Sequence, residues 1–193
     1  MGAINAVGLR QGENGTDHIN QKIPTSGTPV CSVKATGTLT IAEPVTAEDS
    51  MTIGSVTYTF KAEGTAEAAG EIDLGASEAA TKLEIVKAIL GTDGYNTANP
   101  DVICAAAFTS DTLLFTAKEA GTAGNAIVFL EVLLTHASNV LNGSGVLGGT
   151  TAGVDGTPGD IGDCYIDDTY LYYCVALLSA GANWRRISLG SAY

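Results

Sequence analysis

Apolar and polar residues alternate along much of the chain after residue 37, and the spacing turns helical once. Thr38 to Ile41, Met51 to Ile53 and Val56 to Phe60 read as strands, the last two forming a hairpin that turns at Gly54-Ser55, where glycine tolerates positive φ. Period-two alternation places Val56, Tyr58 and Phe60 on one face for packing. Ser77 is a ready N-cap for a helix running to about Leu90, with Ala79, Leu83, Val86 and Leu90 as its apolar stripe and Gly91 as its stop. Further strands are expected at Val102 to Phe108, Leu113 to Ala117 and Ile127 to Leu134, separated by turns at Ser110-Asp111 and Gly121 to Asn125. The order of strands, helix, strands predicts a mainly β, α+β fold: an antiparallel β-rich body with one covering helix.

Outside that body the pattern breaks down twice. Residues 1–34 hold no sustained period and are interrupted by Gly8, Gly12, Gly15, Pro24, Gly27 and Pro29, so they read as an extended docking arm. The body spans 35–141, and residues 142–159 are glycine-rich enough to read as a flexible linker. Residues 160–193 then form a small aromatic β unit, with a hairpin turning near Asp168-Thr169 and a third strand from Asn183 to Ile187. Tyr170 and Tyr172 fall on one face of that hairpin, with Leu171 and Tyr173 on the other.

Charge sharpens this division. The 193 residues carry 9 Lys and Arg against 21 Asp and Glu, a net charge of −12, which disfavours nucleic acid and anionic membrane surfaces as partners. Segment by segment, 1–34 holds 3 basic and 2 acidic residues (net +1), whereas 35–150 holds 4 and 14 (net −10). The arm is thus the least acidic part of the molecule, and its Arg10, His18, Lys22 and Lys34 are the candidates for docking a partner. No run approaches the ~18 apolar residues of a membrane-spanning helix, and Met1 to Leu9 lacks a basic leader, so a soluble, cytoplasmically synthesised protein is expected.

Candidate chemistry is sparse. Gly143, Gly145 and Gly148 spell G-x-G-x-x-G, but the glycine run continues where a dinucleotide site needs a helix. Gly121 to Asn125 could cradle an anion through its amides, yet a turn between strands accounts for the same residues. Asp160, Asp163, Asp167 and Asp168 lack the spacing of a calcium loop. His18 and His136 sit in no hydrolase or zinc signature. Cys31, Cys104, Cys164 and Cys174 form no C-x-x-C pair, and Cys164 and Cys174 oppose one another only if their hairpin has a three-residue loop. These readings predict no enzyme, no cofactor and no metal. Trp184, beside Arg185 and Arg186, is either an interface anchor, together with Tyr170 and Tyr172, or part of the small unit's own core.

Two stretches carry a family likeness. ATGTLTIAEPVTAEDSMTIGSVTYTF with the later LLFTAKEAGTAGN resembles a β-rich module of head and tail proteins in tailed bacteriophages. GDIGDCYIDDTYLYYCVALLSAGANWRRISLGS is similar to a short C-terminal unit of phage fibre and head-associated proteins. The resemblance implies a multi-copy virion structural protein without cofactor. Its first reading is a capsid decoration, or cement, protein on the outer head surface, with the major capsid protein and copies of itself, as a homotrimer, for partners. A fibre module binding a host receptor or surface glycan, and a tail tube or connector protein, are the alternatives.

Overall fold

The computed structural model describes residues 29, 31–133, 138–141, 145–157, 164–166, 170–178 and 181–189. Two units are distinguished, one from Ser32 to Asp155 and the other combining residues 1–31 with 156–193.

In the first unit the alternating segments fold into two four-stranded sheets. One is built from β1 (Lys34–Thr40), β5 (Val102–Cys104), β6 (Thr112–Ala120) and β8 (Val140–Leu141), in the order β5-β6-β1-β8. The other takes β2 (Ser50–Ile53), β3 (Val56–Lys61), β4 (Glu71–Asp73) and β7 (Phe129–Leu133), in the order β4-β3-β2-β7. All pairings are antiparallel except β3 with β4, which run parallel. The inward positions of both sheets join one core: Leu39, Met51, Ile53, Tyr58, Phe60, Leu113 and Phe115 are fully buried. Phe115 of β6 meets Phe129 of β7 edge to face at 5.0 Å, joining the two sheets through the core.

Helix α1 (Glu78–Leu90) packs against β4 and β5, the outer strands of the two sheets. Both predicted caps are present: Ser77 Oγ accepts from the Ala80 N–H at 3.2 Å, and Gly91 closes the helix at φ 68°. A side chain at Gly91 would place its Cβ 2.2 Å from the Ala98 nitrogen, so the residue is required by space as well as by conformation. The apolar stripe differs from the expected one. Thr81, Ile85, Val86, Ala88 and Ile89 are buried, while Ala79 and Leu83 are exposed and Leu90 is only partly covered. Of the predicted four, Val86 alone is buried, because the sheets claim the stripe containing Ile85 and Ile89.

Boundaries shift as well. β1 begins at Lys34, so this residue belongs to the body rather than to an arm, and β5 ends at Cys104 instead of continuing to Phe108. The expected linker is not one over its described part. Residues 145–155 lie along the first unit: Phe129 N–H donates to Gly145 O (2.9 Å), Leu147 N–H to Ile127 O (2.8 Å) and Thr36 N–H to Thr151 O (2.8 Å). Leu147 is buried in the core, and Gly153 approaches Gly121 so closely that a Cβ would stand 2.1 Å from its carbonyl oxygen. These glycines serve close backbone packing rather than flexibility.

In the second unit β9 (Cys164–Ile166), β10 (Tyr170–Leu178) and β11 (Gly181–Ser188) make an antiparallel sheet in the order β11-β10-β9. Tyr172, Cys174 and Trp184 form its buried cluster, with Tyr170 packed alongside. Among the described residues no helix is long and apolar enough to cross a membrane.

Candidate functional site

Two surfaces of the first unit stand out from an otherwise acidic chain. The outward positions of β5-β6-β1-β8 are Ile103 on β5, Thr112, Leu114, Thr116 and Lys118 on β6, Thr36, Thr38 and Thr40 on β1, and Val140 on β8. Ile103, Leu114 and Val140 are 50%, 43% and 37% exposed, and the one carboxylate of these strands, exposed Glu119, stands next to Lys118 at the end of β6. Threonine and β-branched residues suit an extended strand, so local preference and the T-x-T-x-T run at residues 36–40 agree. Lysine appears only at one end, where Lys34 Nζ donates to the Lys118 carbonyl at 2.6 Å.

The second surface is an open groove of about 310 Å³ between α1 and residues 106–110, lined by Ala79, Leu83, Val86, Ala107 and Phe108. Its lip is polar: Lys82 pairs with Glu78 (2.5 Å) and Asp111 (2.8 Å) and stands 5.7 Å from the Phe108 ring centre. Burial lowers the affinity of the Lys82 amine for its proton, but these two carboxylates prevail and hold its pKa above the ordinary lysine value.

Several acidic side chains are occupied by the fold itself. Asp155 accepts from the N–H and hydroxyl of Thr122 at 2.7 and 2.9 Å, so the Thr122 amide of the 121–125 stretch receives the chain's own carboxylate, while Gly121 and Gly124 donate to backbone carbonyls. Asp101 does the same at the β2–β3 turn, accepting from the Ser55 N–H and hydroxyl at 2.8 and 2.9 Å. Burial alone would raise the Asp73 carboxyl; the N–H groups of Ala66 and Thr65 and the Tyr95 hydroxyl outweigh it and hold the pKa below the usual range. Burial together with this bond to Asp73 pushes Tyr95 up to about 12. Burial also drives the Cys104 thiol up to about 11, which keeps it protonated at neutral pH.

The residues singled out in the sequence are not brought into one place. Arg10, His18 and Lys22 lie outside the described residues, as do His136, Asp160, Asp163, Asp167 and Asp168; Lys34 is in β1. Trp184 and Tyr172, weighed as interface anchors, are each only 5% exposed, and the Trp184 indole N–H donates to the Thr157 carbonyl at 2.9 Å. Trp184 lies in the buried cluster of its unit, where its ring is packed and its polar edge has a partner. Arg186 lies 4.4 Å from the Tyr170 ring centre, a cation–π contact, and Arg185 is exposed. Cys164 is in register with Tyr173, and Cys174, which is buried, is in register with Trp184. Among the described residues no three His, Cys, Asp or Glu side chains gather as a metal site.

Sequence reasoning missed this sheet face, although threonine at every second position of residues 36–40 is a signal for it. Compared with protein-family profiles, with curated proteins and with solved structures, the chain matches none.

Proposed function

We propose that this chain is a structural component of a bacteriophage particle, a decoration protein that lies on the outer head surface and binds the major capsid protein through its N-terminal segment. The observation carrying the reading is the independence of the body from that segment. The first unit closes on itself from Ser32 to Asp155, and every residue of its buried core lies at Ala35 or beyond. Residues 1–31 lie outside that unit, and with two basic and two acidic side chains, a net charge of 0, they approach a partner more readily than the body, whose residues 35–150 carry −10. The motif resemblance described above points the same way. In the alternative, a fibre module whose aromatic tail piece or 142–159 stretch touches a host glycan, Trp184 is a weak contact residue, since it is only 5% exposed.

The test compares the full chain with one lacking residues 1–28 for co-sedimentation with purified undecorated phage heads. The cut stops short of Cys31, whose thiol donates to the Trp184 carbonyl at 3.0 Å, and of Val33, which pairs with Val154. The full chain should sediment with the heads and the truncated chain should stay in solution with an unchanged circular-dichroism spectrum. Binding retained after truncation would refute the arm as the docking element, and no binding by the full chain would refute the decoration role.

A further inference from the structure

The outer face of the β5-β6-β1-β8 sheet has a charge pattern that selects its own occupant. In a chain of net charge −12, most encounters between two copies bring like charges together. Across its centre this face avoids that repulsion, because its outward strand positions carry threonine and exposed Ile103, Leu114 and Val140; the one carboxylate of these strands, exposed Glu119, stands at the end beside Lys118. Its two ends are also unlike. Lys34 and Lys118 stand at one end, and exposed Glu43 follows just past the other end of β1. Thr38, in register with Leu114, lies four residues after Lys34 and five before Glu43, near the midpoint between them.

We propose that this face is an interaction surface for a second copy of the same chain, packed about a twofold axis near Thr38 and Leu114. Such an axis turns the lysine end of one face over the Glu43 end of the other, twice, which makes the surface complementary to itself. Stacked sheets of this kind bury their facing side chains in a layer roughly 10 Å thick. Four strands at ~4.8 Å spacing and about five residues at ~3.3 Å cover on the order of 300 Å² per copy. That is well below the ~800 Å² per partner of a stable complex, so the pairing is weak in free solution. It gains strength where copies are held close together.

Sedimentation equilibrium of the full chain, from micromolar to millimolar concentration, tests the proposal without any phage component, so its failure is separable from failure of the virion reading. The wild type should show a concentration-dependent dimer, and Leu114→Glu, or Thr38→Lys as an independent second variant, should weaken it at least tenfold while circular dichroism stays unchanged. Lys34→Glu and Glu43→Lys should each weaken it about threefold and, combined, restore it. A wild type that stays monomeric throughout, or a dimer indifferent to both central substitutions, would overturn the proposal, and so would a double charge reversal weaker than either single one.

Discussion

Asn99 is wholly buried, and the two halves of its amide are directed at two different parts of the chain. Its Nδ2 donates to the Ile53 carbonyl (3.0 Å) and the Tyr58 hydroxyl (3.3 Å), while Oδ1 accepts from the N–H groups of Asp101 (3.0 Å) and Val102 (3.1 Å). One side chain therefore ties the β2–β3 hairpin to the start of β5. Replacing it with alanine leaves these groups without partners in a water-free site, so Asn99→Ala should cost about 3 kcal/mol, read as a lower urea midpoint. An unchanged midpoint would mean that water takes over the role of the amide. In the sequence, Asn99-Pro100 reads only as a turn, because the groups it reaches lie up to 46 residues away.

Helix α1 separates what is locally encoded from what is not. Its start at Ser77 and its stop at Gly91 were legible because a cap bonds to groups within one turn of itself. Its buried face was not. The helix carries two apolar stripes, one through Ala79, Leu83 and Val86 and another through Ile85, Ala88 and Ile89, and periodicity alone cannot rank them. The sheets chose the second together with Val86, leaving Ala79 and Leu83 exposed along the groove beside Phe108. Thermal unfolding of single variants should show the difference. Ile85→Ala should lose about 2 to 4 kcal/mol, whereas Leu83→Glu, at a position 52% exposed, should stay within roughly 0.5 kcal/mol of wild type. Equal losses at the two positions would contradict this assignment of faces.

At the scale of the whole molecule, the expected linker became part of the first unit, and this determines where the chain can be cut. Val154 pairs with Val33, and Asn125 holds Gly153 through both halves of its amide, at 2.6 and 2.9 Å. A fragment of residues 32–155 should therefore unfold in one cooperative urea transition with the circular dichroism of a β-rich protein. A fragment ending at residue 141, where the sequence placed the body's boundary, should lose that cooperativity, because it lacks Leu147 from the core and the strand-like partner of β1. Equal cooperativity in both fragments would show that residues 145–155 contribute nothing to the unit.

The amino-acid sequence by itself determined the fold class, most strand positions, the hairpin at Gly54-Ser55 and both ends of the helix. All of these depend on neighbours a few residues apart, where alternation, capping and turn chemistry act. The tertiary structure alone decided which helical stripe was buried, that the glycine-rich stretch packs instead of linking, that Trp184 lies in a core, and that one sheet face presents threonine and exposed aliphatic side chains across its centre. Each is settled by groups far apart in the chain competing for the same buried volume or the same hydrogen-bonding partner. Local pattern carries no record of that competition.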